Sequence, residues 1–99
     1  MTKADIINQI ASKTGVDKIE IATIIEGFFV IVKDSLADGN SIYIRGFGSF
    51  INKKRRKKIA RNISKNTAIV IDEHYIPSFK PSKKFIKLIK ASKKVKIAK

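Results

Sequence analysis

The stretch IYIRGFGSFI, residues 42 to 51, decides the fold predicted for this chain. Its isoleucines alternate with Tyr43 and Arg45, and a period of two predicts a strand with one buried face. Gly46 and Gly48 then predict a tight connection, after which Ser-Phe-Ile begins a second strand. The centre of the chain is therefore expected to be β-structure.

Two helices are predicted before these strands. Thr2 and Asp5 resemble a capping box, and the apolar stripe that follows runs to Gly15, so the first helix covers roughly residues 3 to 14. A second box, Asp-x-x-Glu, begins at Asp17. The longer helix that it starts is expected to end at the Asp-Gly pair that precedes the strands.

The second helix carries more apolar surface than a surface helix needs. Its middle, IATIIEGFFVIV, residues 21 to 32, is apolar almost all the way round, whereas a surface helix buries a stripe about 100° wide. A chain this short has few other residues to cover both sides of this helix, so a second copy of the chain is the simplest way to bury its apolar surface. The pattern predicts a homodimer with this helix at its centre.

The part of the chain after residue 67 returns to regular structure. Residues 68 to 76, AIVIDEHYI, are β-rich, and Pro77 and Pro81 are expected to close the sheet region. Ser82 can cap a last helix that has Phe and Ile on one side and lysines on the other. A lysine-rich tail follows this helix.

Length and composition narrow the class of protein. Ninety-nine residues form one small domain, a size at which oligomerisation often supplies missing burial. The absence of cysteine removes disulfides and thiol chemistry. The N-terminus lacks the unbroken apolar run of a signal peptide, and the longest apolar run, residues 28 to 32, is too short to span a bilayer. We expect no metal, no cofactor and a cytoplasmic location.

Charge is distributed unevenly along the chain. Residues 1 to 40 hold four lysines and six acidic residues, a net charge of −2. Because the whole chain has a net charge of +14, the remaining residues carry a net charge of +16. A strongly basic region of this kind predicts attraction to polyanions.

The segment KKRRKKIARNISKN, residues 53 to 66, concentrates this charge. Alternate residues of a strand point to opposite faces, so neither face of its six-residue basic run can pack on a core. A two-stranded ribbon from residue 52 to a tip near Ile63 and back would be about 35 Å long at about 3.3 Å per residue. Such a ribbon has little to hold it in water but can order along duplex DNA. A solvated loop is the alternative, and the charge asymmetry favours the nucleic acid.

Three motifs together resemble a known family. The segment GFGSF at residues 46 to 50, the pair Arg61-Asn62 and the segment IPSF at residues 76 to 79 before a basic helix resemble the bacterial histone-like protein HU and its relative, integration host factor. The similarity runs from about residue 2 to residue 90. It implies an α+β fold: an intertwined homodimer with an α-helical base, a β-sheet saddle and two protruding β-ribbon arms.

The resemblance also divides the chain and assigns roles to its residues. A single domain, residues 1 to 99, would comprise a helical dimerisation part (1 to 40), the β-saddle (41 to 81) with its arm (about 52 to 75), the C-terminal helix (82 to 90) and a basic tail (91 to 99). The dimer core would contain Phe29, Phe47, Phe50 and Phe79. The DNA contacts would come from Lys53, Arg55, Lys58, Arg61, Asn62, Ile63, Lys80 and Lys83.

The arm tip departs from the family pattern, which is Arg-Asn-Pro followed by a variable residue, Thr and Gly. Ile63 falls on the position of the proline, which wedges between base pairs in the family, and minor-groove architectural proteins, HU among them, insert apolar side chains in this way. Proline fixes φ, whereas isoleucine leaves the backbone freer. Asn66 replaces the family's glycine and tolerates the left-handed conformation of a turn.

No residue pattern indicates an enzyme. His74 is the single histidine and has no set of ligands at metal-binding spacing around it. Asp72 and Glu73 beside it are expected to form an exposed strand edge or turn. We therefore expect no catalytic residue, no small-molecule substrate and no cofactor.

The sequence predicts an architectural, nucleoid-associated protein that binds, bends and compacts duplex DNA through its arms. Little sequence specificity is expected, because contacts with phosphate carry no base information and the minor groove offers a degenerate pattern. Three alternatives stay open: a subunit of a sequence-specific heterodimer like integration host factor, an RNA-binding basic protein, and a cationic membrane-surface protein. Partners other than duplex DNA, a second copy and RNA are not expected.

Overall fold

The computed structural model describes residues 1 to 62 and 64 to 95. These residues form three helices and five strands, all of the strand pairs being antiparallel. The chain divides into two compact units, Met1–Ser35 and a second unit that begins at Leu36. The first unit holds α1 and most of α2, and the second holds the strands and α3.

The first helix, α1, spans Lys3–Thr14, as predicted. Its capping box is formed: the backbone N–H of Thr2 donates to the Asp5 carboxylate at 2.9 Å, and the Asp5 N–H donates to the Thr2 hydroxyl at 3.3 Å. Gly15 ends the helix in the left-handed conformation, and its N–H donates to the Ala11 carbonyl at 2.9 Å. Short polar caps thus fix both ends of this helix.

The second helix, α2, spans Lys18–Ala37. Glu26 on α2 forms an ion pair with Lys3 on α1. Among the described residues, only two large apolar side chains are buried, those of Ile21 and Leu36. Ile24, in contrast, is 69% exposed, so a single chain leaves much of the apolar surface of this helix in contact with solvent.

The three-stranded sheet has the order β1-β2-β5. Strands β1 (Ile42–Ile44) and β2 (Gly48–Arg55) are joined by a tight turn, in which the Phe47 N–H donates to the Ile44 carbonyl at 3.0 Å. Gly46 lies in this turn with φ of 78°, a conformation that other residues adopt at a cost. The two strands and the turn between them are the ones that the sequence predicts.

Strand β5, His74–Pro81, pairs with β2 along the whole length of β2. Pro81 ends the strand as expected, but the expectation that Pro77 closes the sheet is wrong, because Pro77 lies inside β5. The Ser82 N–H donates to the Phe47 carbonyl at 2.9 Å. Pairs with and without hydrogen bonds alternate along an antiparallel ladder. Ser82 bonds to Phe47, so the next pair, Pro81 with Gly48, needs no backbone N–H from the proline. Phe79 and Pro77 lie two and four residues before Pro81 along β5, so they occupy pairs of the same kind.

A second, two-stranded sheet extends the ribbon formed by β2 and β5. It consists of β3 (Lys58–Asn62) and β4 (Thr67–Ile71). The predicted β-rich stretch from residue 68 to residue 76 is thus interrupted at Asp72 and Glu73. The hairpin reverses between residues 62 and 67, and Ile63, near which the tip is predicted, lies outside the described residues.

The base of the ribbon is tied to the end of α2. The Nδ2 group of Asn52 on β2 donates to the Leu36 carbonyl at 2.8 Å, in a part-buried position. The same carbonyl accepts the N–H of Gly39 at 3.0 Å. A carbonyl in the last turn of a helix has no hydrogen-bond donor within the helix. The two N–H groups from Asn52 and Gly39 therefore satisfy the Leu36 carbonyl.

The last helix, α3, spans Lys83–Ala91 and has Ser82 as its N-cap, close to the predicted bounds of 82 to 90. The Ser82 hydroxyl accepts the Phe85 N–H at 3.2 Å. Of the basic tail, residues 92 to 95 are described, and residues 96 to 99 lie outside the described residues.

Candidate nucleic-acid interface

One face of the three-stranded sheet is polar and basic. Residues directly opposite each other on paired strands share a face, so the register places Tyr43, Ser49 and Lys80 in one row across all three strands. Lys53 and Arg55 lie four and six residues after Ser49 on the same side of β2, with Ile51 between Ser49 and Lys53. Three of the predicted DNA contacts, the side chains of two lysines and one arginine, therefore share one face, and all three are exposed.

A cleft of about 580 Å³ lies between this face and the start of α3. Four cationic side chains contribute to it, and Lys83, another predicted contact, is one of them. None of its lining residues, all of which belong to the described part of the chain, is acidic. It is lined by Tyr43, Arg45, Gly46, Gly48, Ser49, Lys80, Pro81, Ser82, Lys83 and Lys84. Cationic side chains and the N-terminal end of a helix both attract anions, so the charge of this cleft suits a phosphate group.

The opposite face of the sheet carries an aromatic cluster. The Phe79 ring lies 5.2 Å from the Phe50 ring and 5.0 Å from the Phe47 ring, measured between centroids. Phe85 of α3 adds a stacked contact with Phe47 at 5.4 Å. These distances are typical of favourable aromatic pairs. The structure thus brings together three of the four residues predicted for the dimer core, while Phe29 lies beside Phe28 in the first unit.

Phe85 was missed as a member of this cluster. In the sequence it marked only the apolar side of the last helix. The hydrogen bond from Ser82 to Phe47 places the beginning of α3 beside the turn between β1 and β2, and this long-range pairing has no local signature in the sequence.

The inner section of the arm, where β2 pairs with the first half of β5, also carries cations on its other face. Lys54 lies opposite Tyr75 in the register. Its Nζ forms an ion pair with the Glu73 carboxylate at 3.4 Å, and both side chains are more than half exposed. Exposed pairs of this kind contribute little to stability, so Lys54 can exchange the carboxylate for a phosphate.

The ribbon is interrupted at the same level on both strands. The pairs Arg55 with His74 and Lys58 with Ile71 bracket two unpaired residues on each side, and the register is the same before and after them. This places Arg56 and Lys57 at the level of Glu73 and Asp72, which are the only acidic residues after residue 40. The interruption therefore places two basic residues at the level of two acidic ones.

The outer section, β3 with β4, distributes its cations over both faces. Lys58 and Arg61 are three residues apart on β3, and their side chains therefore lie on opposite faces. Both are exposed. The predicted contacts of the arm thus do not form a single stripe, and a polyanion must approach the outer section from more than one side to meet both.

Apolar side chains occupy much of the same section, which the sequence analysis missed. Ile59 lies opposite Val70, and the two are 71% and 54% exposed. On the other face, Ile69 and Ile71 are 46% and 41% exposed. The basic run drew attention to charge, although the segment AIVI of the returning strand was a signal that the arm also has apolar faces.

At the tip, Asn62 ends β3 opposite Thr67 at the start of β4. Asn66 has φ of 52°, which confirms the left-handed conformation expected of it. Ile63, the predicted wedge, lies outside the described residues.

Within the described residues, no group of three or more histidine, cysteine or acidic side chains could hold a metal ion. His74 is exposed at the start of β5, with its Nδ1 3.0 Å from the Asp72 carbonyl oxygen. Asp72 and Glu73 are exposed, as expected, and lie between β4 and β5. No helix in the described ranges has the length and apolar character needed to cross a membrane.

Comparison with known proteins decides the family. The family model described as bacterial DNA-binding protein matches residues 1 to 97. The chain belongs to this family. Integration host factor subunit alpha of Anaeromyxobacter sp. (strain Fw109-5) is 39% identical over 82 residues, which are 83% of either chain. The DNA-binding protein HU of Thermus thermophilus is 31% identical over 83 residues, 84% of this chain and 86% of that one.

Solved structures of this family share the fold. Anabaena HU, in a cocrystal with DNA, superposes with a TM-score of 0.86 at 23% identity, over 93% of this chain and all of that one. HU from Thermotoga maritima superposes with a TM-score of 0.63 at 25% identity, over 90% of this chain and 98% of that one. The α+β fold of HU and integration host factor is thus confirmed, and the family consists of DNA-binding architectural proteins, not enzymes.

Proposed function

We propose that this protein binds duplex DNA as a homodimer, through arms that enter the minor groove, and bends and compacts the DNA with little sequence specificity. The observation that carries this proposal is the single exposed face that brings Lys53, Arg55 and Lys80 together beside the basic cleft at α3. A protein of this kind would act on the nucleoid in the bacterial cytoplasm. The DNA in the cocrystal of Anabaena HU supports the choice of partner.

The charge distribution supports recognition of phosphate over recognition of bases. Lysine and arginine side chains that contact phosphates position a protein on DNA without reading its sequence. The first unit is slightly acidic, so the second unit carries all of the excess positive charge, and the arm places cations on both faces of a narrow ribbon. This distribution suits a groove with phosphates along both of its edges.

The uncovered apolar surface supports a homodimer. In the first unit, Ile24 and Phe29 are exposed on α2, and in the second unit Phe47 and Phe79 are exposed at the edge of the aromatic cluster. A second copy that covers these surfaces would supply the core that one chain lacks. Phe29, Phe47, Phe50 and Phe79 would then lie within the dimer core, as the family resemblance implies.

The hairpin that β3 and β4 form supports a wedge at Ile63, because β3 ends at Asn62, the residue that precedes Ile63 in the sequence. Burial of an apolar side chain in a base step favours kinked DNA. Asn62 beside it would contact the groove. The arms would therefore bend DNA at their tips while the cations behind them hold the phosphates.

Salt dependence tests the phosphate contacts. If each dimer engages on the order of six to ten phosphates, log affinity falls with log salt at a slope of about −5 to −9. Replacing Arg55 and Arg61 together by Ala should weaken binding and reduce this slope by about one per lost contact. The matched control, Lys13→Ala with Lys18→Ala, removes the same charge from the helical part and should change the slope much less. A slope near zero, or equal effects of both double variants, would contradict the proposal.

Sedimentation tests the assembly. The purified protein should sediment as a dimer at micromolar concentration, and Phe29→Asp should unfold it because a charge would then lie in the dimer core. Ser12→Asp introduces the same charge at an exposed position of α1 and should leave the dimer intact. A well-folded monomer of the unaltered protein at this concentration would refute the proposed homodimer.

A second candidate is a subunit of a sequence-specific heterodimer, which the 39% identity to integration host factor subunit alpha favours. Such a subunit would need a paralogous partner for stable folding or for tight binding. Purification of this chain alone decides between the two, since a lone chain that dimerises and binds DNA with the expected salt slope excludes an obligate heterodimer. Competition with duplex RNA of equal length tests the RNA-binding alternative.

A further inference from the structure

The arm leaves the packed part of the sheet at Asn52. Along β2, Gly48 is buried, residues 49 to 52 are part-buried and residues 53 to 55 are exposed. Asn52 is therefore the last residue of this strand that is not exposed, and it lies on the same face as Phe50, two residues before it. Asparagine is depleted in strands, where branched and aromatic side chains pack better. The amide at this position therefore needs a specific explanation.

The Asn52 amide bonds to the end of α2. Its Nδ2 group donates to the Leu36 carbonyl at 2.8 Å, and the same carbonyl accepts the Gly39 N–H at 3.0 Å. Because the Gly39 N–H alone would satisfy this carbonyl, the helix end does not need a second donor. What the second bond adds is a fixed position for Asn52. Leu36 and Asn52 both belong to the second unit, so the bond fixes the start of the arm within that unit.

We propose that Asn52 is a positioning residue for DNA bending: its bond to Leu36 holds the angle at which the arm leaves the sheet. That angle determines where the tip of the arm meets the DNA. The inference rests on the proposed bending of DNA by the arms, and it adds to that function the residue that aims them.

The length of the arm makes this angle critical. The ten residues from Asn52 to Asn62 span about 33 Å at about 3.3 Å per residue. A rotation of about 10° at Asn52 would displace the tip by about 6 Å, which is about the width of the minor groove. Residues 53 to 55, the next along β2, are exposed, so packing does little to resist such a rotation. A hydrogen bond at the start of the arm therefore controls a displacement large enough to miss the groove.

The first measurement is made on the free protein. Asn52→Leu keeps the number and branching of the side-chain heavy atoms but has no donor. In NMR, residual dipolar couplings report the averaged orientation of each backbone N–H bond. The couplings of residues 53 to 55 should shrink relative to those of residues 48 to 51 in this variant, because the arm then samples a range of angles. Asn52→Ala also lacks the donor and should behave in the same way, which separates the loss of the bond from any strain that leucine introduces.

The control is a variant that loses stability elsewhere. Gly15 has φ of 75° at the end of α1, in the first unit, and a Cβ there meets nothing within 4 Å. Gly15→Ala is therefore destabilising through backbone strain alone. It should lower the melting temperature and leave the ratio of couplings between the two parts of β2 unchanged.

The second measurement is made on the complex with a short linear duplex, by end-to-end energy transfer in single molecules. The unaltered protein and Gly15→Ala should give one narrow distribution of bend angles. Asn52→Leu and Asn52→Ala should give a broader distribution at smaller angles. Their salt slopes should not change, because no cation is removed. Their affinities should fall by less than about fivefold, the factor that corresponds to one neutral hydrogen bond.

Two outcomes would overturn the inference and leave the proposed function intact. One is that both Asn52 variants match the unaltered protein in couplings and bend angles. The other is that Gly15→Ala changes both quantities as much as they do, which would assign the effect to stability. A straight duplex in the complex of the unaltered protein would refute the proposed function itself, and the couplings of the free protein would still show whether Asn52 fixes the arm.

Discussion

Gly48 is the position where one methyl group should do the most damage to the sheet. It is buried at the start of β2, opposite Pro81. A Cβ atom there would lie 2.5 Å from the Lys80 carbonyl oxygen and 2.7 Å from the Phe79 ring. Side chains in real structures essentially never approach closer than 3.0 Å at Cβ. Gly48→Ala must therefore push β5 away from β2 and displace a ring of the aromatic cluster.

The magnitude follows from what can move. Overpacking a well-packed interior destabilises by about 1–3 kcal/mol, and here the nearer obstacle is a backbone oxygen that has no rotamer to change. We expect Gly48→Ala to lower the free energy of unfolding by about 3 kcal/mol per chain, at the upper end of that range. Gly46→Ala is the control, because a Cβ at Gly46 meets nothing within 4 Å. Only the left-handed φ opposes it, at about 1 kcal/mol.

Thermal unfolding followed by circular dichroism measures this difference. All variants are compared at one protein concentration, since the stability of an oligomer depends on it. For a domain of this size 1 kcal/mol shifts Tm by about 4–8 °C. Gly48→Ala should therefore lower Tm by about 12 °C or more, and Gly46→Ala by about 4–8 °C. Equal shifts in the two variants would refute the reasoning from contact distances.

Three further predictions concern the arm. Asn52→Ala removes the donor to the α2 carbonyl and should destabilise the chain by about 1–2 kcal/mol in chemical denaturation, whereas no change would show that water replaces it. Ile63→Ala should reduce the DNA bend angle measured by end-to-end energy transfer far more than it reduces affinity, and Ile63→Pro should preserve the bend. An unchanged bend angle in Ile63→Ala would refute the assignment of Ile63 as the wedge. Glu73→Gln frees Lys54 from its ion pair and should strengthen binding at low salt, with the gain lost at high salt; weaker binding would mean that the carboxylate supports the arm.

Local signals in the sequence predicted much of the fold. The capping box at Thr2 and the glycine at Gly15 define α1 because a helix end needs particular polar groups and backbone angles, and both are encoded within a few residues. The period-two pattern around Tyr43 predicted β1, because the alternation of apolar and polar side chains is also encoded within a few residues. Ser82 and the amphipathic pattern after it predicted α3 to within one residue at either end.

The features that the sequence did not predict depend on pairing between distant segments. Pro77 is a strong local signal for the end of a strand, but the ladder places it at a pair where no N–H is needed. The interruption at Asp72 requires two unpaired residues on each strand at one level, and a single strand does not encode the level of its partner. Phe85 joins the aromatic cluster only through the contact of Ser82 with the turn at Phe47. Family resemblance supplied the roles proposed for the residues that are predicted to contact DNA, which their charge alone did not.

The interruption of the ribbon separates two kinds of surface, and this separation makes the proposed roles independent of each other. The inner section carries Lys53, Lys54 and Arg55 on both of its faces, and charge in such numbers attracts any phosphate backbone. The outer section carries apolar pairs, whose contacts depend on close fit and on which donors the DNA presents. Changes in salt should therefore act on the cations of both sections, and changes in base composition on the apolar pairs of the outer one. If the two sections work in this way, raising salt should weaken binding to A·T and G·C duplexes in parallel and leave their affinity ratio unchanged.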